Sequence, residues 1–199
     1  MPEPETADTA LPRGPDVDVV DLLLTQHARI EELFILVAGS AGDEKRDAFE
    51  DLVRLLAVHE TAEEEVVHPL SRRFVDGGDP VIDDRLDEER QAKEMLSQLI
   101  KAGVTDAGFD AALLLLRNAV LTHARYEERY EFTQLRAKAP ADQLRALAGA
   151  VRAAEAVAPT RPHPGAESAK ANIAAGPVLA VADRARDLIR EAVRRSGSA

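Results

Sequence analysis

Apolar residues recur along most of this chain at intervals of three and four positions, the spacing of one face of an α-helix. The pattern predicts four long helices, over residues 16–39, 44–73, 80–101 and 107–137. The short segments between them contain glycine, proline or aspartate, residues that end helices. Because short loops make long helices antiparallel neighbours, we expect an all-α protein with an up-down-up-down four-helix bundle at residues 16–137.

The chain continues on both sides of the predicted bundle. Residues 1–15 are acidic and proline-rich, which predicts a disordered tail. Residues 138–199 predict a helical extension: a helix over 140–157, a linker rich in Pro, Gly and Ala at about 158–176, and a last amphipathic helix over about 177–195. The apolar face of this last helix is expected to pack on the bundle or on a twin subunit. Its arginines leave an anionic membrane or partner as the alternative.

Composition narrows the classes of function. The formal net charge is −11 and no basic patch offsets it, so we expect no nucleic-acid partner. Cysteine is absent, which excludes disulfides, thiolate metal sites and iron–sulfur clusters. No apolar run reaches the roughly 20 residues of a membrane span, and the N-terminus does not resemble a signal peptide. We therefore expect a cytoplasmic protein without stable membrane insertion, in which histidine, carboxylate or water holds any metal.

Three of the five histidines interrupt apolar helix faces. At roughly 100° per residue, positions four, seven and eleven residues apart return to nearly the same face. The three faces comprise Val20, Leu23, His27, Ile30 and Phe34 in the first helix; Leu52, Leu56, His59, Glu63 and Val66 in the second; and Leu116, Val120, His123, Glu127 and Tyr130 in the fourth. An unpaired charge in a core costs on the order of several kcal/mol, so these polar groups require a partner.

The spacing His-x-x-x-Glu occurs twice on these faces, as His59–Glu63 and His123–Glu127. It places a nitrogen donor and an oxygen donor one helical turn apart, pointing the same way. Two such pairs facing each other across a bundle can hold two metal ions, much as di-iron bundles use a Glu-x-x-His spacing. The alternative is that such a pair is solvated, since glutamate is common on acidic helices. Two pairs on separate inward faces favour the metal.

The third predicted helix carries charge where its buried face should be. Glu89 and Lys93 share a face with the apolar residues Ile82, Leu86, Leu96 and Ile100. One interpretation makes Glu89 a further metal ligand and Lys93 a cation that balances the excess carboxylate from outside the ligand set. Tyr130 is expected in the same outer layer. The other interpretation rotates the helix and leaves both charges in water.

The remaining two histidines are predicted to lie away from the site. His68 comes nine residues after His59, about 180° around an α-helix. His163 lies between two prolines in the predicted linker. Both are expected to be surface or interface residues.

Residues 16–137 resemble the hemerythrin-like HHE cation-binding family. The resemblance rests on QHARIEELF in the first helix, HETAEEEVVHP in the second and HARYEERYEF in the fourth. It implies a non-haem di-iron centre, oxo- or hydroxo-bridged. The ligands that it implies are His27, His59, Glu63, His123 and Glu127. The family's third helix usually supplies a histidine, and the corresponding position here is Glu89.

Glu89, the third carboxylate of the expected ligand set, changes the expected function. It adds negative charge and a hard oxygen donor, which favours the oxidised metal pair. Reversible O₂ carriage needs a readily restored reduced pair, so we expect instead a protein that reacts with or senses O₂, peroxide or nitric oxide. A catalase- or peroxidase-like activity in oxidative stress fits this expectation. Two other classes stay open: a sensing module that signals through the C-terminal helix or a homodimer contact, and a metal-free helical interaction protein.

Overall fold

Six helices account for the regular structure of residues 17–157, 183–191 and 194, the part of the chain that the computed structural model describes. They are α1 (Val19–Gly39), α2 (residues 42–74), α3 (Gly78–Ala102), α4 (residues 109–138), α5 (Ala141–Val157) and α6 (residues 183–191). The predicted all-α four-helix bundle with a helical extension is confirmed, with α1–α4 as the bundle. The predicted tail, the linker, His163 and the start of the predicted last helix lie outside the described residues.

Local signals fix where the helices begin and turn. The side chains of Asp18 and Asp21 each accept a hydrogen bond from the other's backbone N–H, a capping box that starts α1. Between α2 and α3, Gly77 has a φ of +67°, a left-handed conformation that favours glycine. At Gly78 a Cβ atom would lie 2.5 Å from the carbonyl oxygen of Ser71, so only glycine lets α3 start this close to α2.

Helices α2 and α4 each contain one wide turn. In α2 a π-helical turn, Glu63–Val67, separates Gly42–Ala62 from His68–Phe74. In α4 a π-helical turn, Glu127–Phe132, separates Phe109–Tyr126 from Thr133–Lys138. The His68 backbone N–H donates to the carbonyl of Glu63, five residues earlier, as a π turn requires. A wider turn uses more residues per revolution, so the residues after each turn face a different direction from those of an uninterrupted α-helix.

Apolar side chains form two clusters on either side of a polar layer. The bundle cluster joins the second half of α1 to the first half of α2, the second half of α3 and the first half of α4. The extension cluster joins the start of α1 and the ends of α2 and α4 to α5 and α6, and Ala185 and Ile189 of α6 are buried in it. No helix in the described part of the chain is long and apolar enough to cross a bilayer.

Candidate metal centre

The polar layer brings together the six side chains that the sequence indicates as metal ligands. They come from all four bundle helices, and each residue is 9% exposed or less. They are His27 on α1, His59 and Glu63 on α2, Glu89 on α3, and His123 and Glu127 on α4. The layer lies between two apolar clusters, so solvent does not surround these groups and their charges need a partner within the protein.

Four of these residues form a first group. One ligand atom from each of His27, His59, Glu63 and Glu127 lies within 4.8 Å of the others. The Nε2 atoms of His27 and His59 face each other at 3.1 Å. Glu63 Oε1 lies 3.0 Å from His59 Nε2, and Glu127 Oε2 lies 3.5 Å from His27 Nε2. Two nitrogens and two carboxylates therefore converge on one point.

A second group shares one carboxylate with the first. Ligand atoms of Glu63, Glu89 and His123 also lie within 4.8 Å of one another. Glu63 directs Oε1 towards His59 and Oε2 towards His123, whose Nε2 is 3.8 Å away. Glu127 Oε2 is 3.4 Å from the same His123 nitrogen. Glu63 thus lies between the two groups and directs one carboxylate oxygen towards each.

Unsatisfied atoms at the centre of the cluster fit a cation. Within the described residues, both oxygens of Glu63, both oxygens of Glu127, Glu89 Oε2 and His123 Nε2 are buried and make no hydrogen bond. A buried polar atom without a partner costs about 1–3 kcal/mol, so several pointing at one place indicate that something else satisfies them. Carboxylate oxygens and imidazole nitrogens are ligands that iron, manganese and zinc accept.

A contact at Nδ1 orients each of the three histidine rings. Each of the three rings uses Nδ1 to contact an oxygen acceptor, which leaves Nε2 directed at the centre. The pairs are His27–Glu128 at 2.8 Å, His59–Gln26 at 2.9 Å and His123–Glu88 at 3.0 Å. An Nδ1–H donor of this kind fixes the tautomer in which the Nε2 lone pair is free, the usual arrangement of a metal-binding histidine.

The three rings differ in protonation when no metal is bound. Burial disfavours the charged form of His27, but Glu127, Glu128 and Glu63 outweigh it and raise its pKa well above the ordinary value. Burial also opposes protonation of His123, yet nearby carboxylates raise its pKa to about 12. At His59 burial prevails and lowers the pKa. A metal entering the centre must displace the protons on His27 and His123.

On α3, Glu89 faces the centre and Lys93 lies at its rim. Glu89 is 3% exposed, which excludes the interpretation that the helix turns this carboxylate into water. The Lys93 side chain is 42% exposed rather than buried, and its Nζ contacts Glu64 at 2.5 Å and Glu89 at 3.6 Å. Burial lowers the pKa of Lys93 but Glu60 and the other two carboxylates raise it more, so Lys93 keeps its charge. Leu86, expected on the buried face, is 37% exposed.

The prediction that His68 lies at the surface is wrong. His68 is 4% exposed, and its Nε2 lies 2.5 Å from Glu89 Oε1. The π turn in α2 rotates it inward, because an angle of 180° from His59 holds only for an uninterrupted α-helix. Pro69 was the available signal: a proline inside a helix lacks an N–H and clashes with the carbonyl four residues earlier, so it predicts distortion just upstream.

The prediction that Tyr130 lies in the layer around the ligands is also wrong. Tyr130 is 49% exposed, and the neighbouring Glu131 is buried instead. The π turn in α4 causes this exchange, and no proline in that turn signals it. Burial raises the pKa of Glu131, whose Oε1 is 3.7 Å from the Arg85 guanidinium. Phe132, the next residue, stacks on the His27 ring with 5.7 Å between ring centroids.

The helical extension reaches residues that adjoin the cluster. From α5, Glu155 accepts a hydrogen bond from Gln26 at 3.4 Å, and Gln26 is the partner of His59. From α6, Arg190 makes two contacts with Glu65, at 2.7 and 2.8 Å, within the π turn that begins at Glu63. The extension is therefore structurally connected to the centre as well as to the apolar core.

A four-helix bundle that gathers imidazoles and carboxylates from every helix into one buried layer defines the class of helical-bundle proteins that hold metal cations. The family model described as the hemerythrin HHE cation binding domain matches residues 18–135, and the chain belongs to this family.

Two known proteins illustrate the similarity. The crystal structure of a hemerythrin HHE cation binding domain-containing protein from Mycobacterium kansasii is 20% identical and superimposes with a TM-score of 0.62, over 70% of this chain and 86% of that chain. At this identity the likeness shows the fold. A curated protein, the DNA nickase of Nostoc sp. (strain PCC 7120 / SAG 25.82 / UTEX 2576), is 27% identical over 141 residues, which are 70% of this chain and 40% of the nickase. The chain thus spans two fifths of that relative.

Proposed function

We propose that this chain is a non-haem di-iron protein that binds or reacts with O₂, peroxide or nitric oxide, and that removal of peroxide is its main reaction. The observation that carries the proposal is the position of Glu63, which presents one oxygen to each of two ligand groups. A single mononuclear site would not use a buried carboxylate in this way. Two ions that share Glu63 would satisfy the unpaired atoms on both sides.

The ligand set favours redox turnover over reversible carriage of O₂. It combines three imidazoles with three carboxylates, and carboxylates stabilise the more highly charged, oxidised form of a metal. A cavity of about 20 Å³ lies within the cluster; His27, His59, Glu63, Glu89 and His123 line it together with the apolar Ile30, Leu56 and Val120. A space of this size, among the residues that would hold the cations, excludes an organic substrate.

The surrounding residues have distinct roles in this proposal. Gln26, Glu88 and Glu128 hold the three rings with Nε2 inward. Lys93 offsets part of the negative charge that Glu89 adds, through the contact at 3.6 Å. The iron pair, once bound, would supply the electrons that reduce the incoming ligand.

Metal analysis combined with an optical spectrum tests the proposal. The purified protein should contain two irons per chain, a count implied by the two groups that share Glu63, and should consume hydrogen peroxide. His59→Ala and His123→Ala should each lose most of the iron, whereas Glu44→Gln, an exposed carboxylate on α2, should retain it. Iron retained in both histidine variants would contradict the site. Bound iron without peroxide consumption would contradict the reaction.

A sensing role is the second candidate, and the contact between Arg190 and Glu65 favours it. This contact joins the C-terminal helix to the π turn that carries Glu63, so a change at the centre would reach the surface of the protein. A homodimer or another protein bound at this helix would receive the signal. Binding of nitric oxide or O₂ to the reduced protein without turnover would distinguish this role from peroxide removal.

Nucleic acid is not among the proposed partners. The net charge of −11 opposes binding to a phosphate backbone, and the similarity to a DNA nickase covers 40% of that protein. We propose the cytoplasm as the location. A DNA-binding titration at low salt tests the proposal that the chain has no nucleic-acid partner. Retention of labelled DNA by the chain would contradict that proposal.

A further inference from the structure

The chain contains two tyrosines, no tryptophan and no cysteine, and its two tyrosines lie side by side. The Tyr126 and Tyr130 rings are stacked, with 6.1 Å between centroids and 22° between ring planes. They are 45% and 49% exposed. Apart from two methionines, these are the most readily oxidised side chains of the protein, and they flank the proposed ligand Glu127 on α4.

A line of contacts joins this tyrosine pair to the candidate metal centre. The Arg85 guanidinium lies over the Tyr126 ring, 5.0 Å from its centroid. The same guanidinium donates to Glu88 Oε2 at 2.7 Å, and Glu88 Oε2 in turn contacts His123 Nδ1 at 3.0 Å. Arg85 is 8% exposed, so packing holds it in this position. The line therefore runs without a gap from an exposed ring to a ring of the proposed ligand set.

We propose that Tyr126 and Tyr130 form an electron relay between the centre and the protein surface. The inference rests on the proposed reaction with peroxide and assigns the route by which electrons reach it. Tyr126 supplies an electron along Arg85, Glu88 and His123, and Tyr130 supplies the next one through the stacked ring. A soluble one-electron reductant then restores both phenols, which are exposed to it.

Atoms and electrons balance in the proposed oxidation of the two tyrosines by hydrogen peroxide. Each phenol loses one electron and releases its proton to solvent, becoming a neutral tyrosyl radical. One hydrogen peroxide takes up two electrons and two protons; its O–O bond breaks, and two waters form. Without reductant, the two adjacent radicals join by a carbon–carbon bond as dityrosine. The net reaction is then two tyrosines and one peroxide giving one dityrosine and two waters.

The experiment treats the iron-loaded full-length protein with hydrogen peroxide, with and without ascorbate. Peroxide consumption is followed together with the tyrosyl radical signal in electron paramagnetic resonance and with dityrosine fluorescence, and mass spectrometry locates the cross-link. We expect a radical and a Tyr126–Tyr130 cross-link, both suppressed by ascorbate. Metal-free protein given the same peroxide is the control and should show neither.

Variants separate the relay from random surface oxidation. Tyr126→Phe should abolish both radical and cross-link, because it interrupts the line at the ring nearest Arg85. Tyr130→Phe should keep the radical on Tyr126 and lose the cross-link. Arg85→Gln should slow the appearance of the radical. Arg129→Gln is the matched control: Arg129 is exposed, lies over the Tyr130 ring at 5.4 Å from its centroid and belongs to none of the contacts between Tyr126 and His123, so its loss should leave the rate unchanged.

Each remaining outcome decides the question. Peroxide consumption with neither radical nor cross-link overturns the relay and leaves the proposed function standing. Absence of peroxide consumption overturns both. A radical that persists in Tyr126→Phe, or a cross-link in the metal-free protein, shows that the tyrosines are oxidised without the line of contacts and overturns the relay alone.

Discussion

Helices α2 and α4 carry the same motif but differ in the residues just beyond it. In both, His-x-x-x-Glu ends at a carboxylate that begins a π turn. The turn in α2 brings His68 inward to contact Glu89. The turn in α4 brings in Glu131 and Phe132, and Phe132 stacks on His27. The repeated motif therefore places the same two residue types in unequal surroundings.

The two motif histidines show what this inequality does. His59 contacts the neutral amide of Gln26 through Nδ1, and burial lowers its pKa. His123 contacts the carboxylate of Glu88 and lies beside Glu127, so its pKa rises to about 12 despite burial. An identical spacing thus yields one neutral and one protonated ring before metal binds. The neighbours of each histidine, more than the motif, therefore determine its pKa.

The largest expected effect comes from the residue that the two groups share. Glu63→Gln should remove metal from both groups, because its two oxygens serve both. Its counterpart on α4, Glu127→Gln, should weaken the first group and leave the ion held by Glu63, Glu89 and His123. Iron quantitation on both purified variants measures the difference, with Glu44→Gln as the control. Equal iron content in the Glu63 and Glu127 variants would show that the two helices contribute symmetrically.

The next largest effect concerns His68, the residue that the π turn of α2 brings inward. His68→Phe places a phenylalanine at the position that corresponds to Phe132 of α4. It also removes the contact with Glu89 Oε1. Loss of such an outer partner typically lowers metal affinity roughly 10- to 100-fold. A competition titration with a chromophoric chelator measures the affinity. His68→Gln retains a donor and should recover part of it; unchanged affinity in His68→Phe contradicts the role of this contact.

The protonation difference predicts opposite pH dependences in the metal-free protein. The raised pKa of His123 gives a stabilising contribution that is fully present below about pH 6.5 and is lost as the pH rises towards the folded value of about 12. The lowered pKa of His59 gives a contribution present above about pH 6.5 and lost as the pH falls.

Urea unfolding of metal-free His123→Gln and His59→Gln across this range checks the signs. The destabilisation caused by His123→Gln should shrink as the pH rises, and that caused by His59→Gln should shrink as the pH falls. Wild-type protein measured in parallel is the reference. The same trend in both variants would mean that the two rings are protonated alike.

The smallest expected effect concerns Phe132, the residue that the π turn of α4 brings inward. Phe132→Leu removes the ring stacked on His27 while keeping an apolar side chain. Stacked aromatic pairs contribute about 0.5–1.5 kcal/mol beyond their buried area, so the free energy of unfolding should fall by about that amount. Iron content should stay at the wild-type level. Loss of iron in this variant would assign Phe132 a role in holding the His27 ring for the metal.

The sequence predicted the bundle well because helical periodicity and helix-ending residues are local signals. The inward placement of Glu89 was one of two open interpretations, since the polar run around it was consistent with either rotation of α3. The errors at His68 and Tyr130 share one cause: a constant 100° per residue cannot anticipate a π turn. Pro69 marks the turn in α2, but the turn in α4 contains no proline that could mark it.

The sequence did not predict the residues of other helices that contact the three histidine rings, and the reason is different. Glu88, Glu128 and Gln26 are ordinary surface-type residues in sequence, and only the bundle geometry sets them behind the three rings. The role of Glu155 depends on α5 lying along α1, which periodicity does not specify. The residues that meet in the polar layer were therefore easier to predict than the residues that contact the histidine rings on their other side.

The contacts between the extension and the centre join residues that are far apart in the chain. Gln26 and Glu155 are separated by 129 positions, and Glu65 and Arg190 by 125. Since the chain leaves the ribosome from its N-terminus, α1–α4 emerge before α5 and α6. Without α5 and α6, the residues of α1, α2 and α4 in the extension cluster would lack part of their cover, and an uncovered apolar surface is prone to aggregation. A chain truncated before α5 should therefore aggregate more readily than the full-length chain.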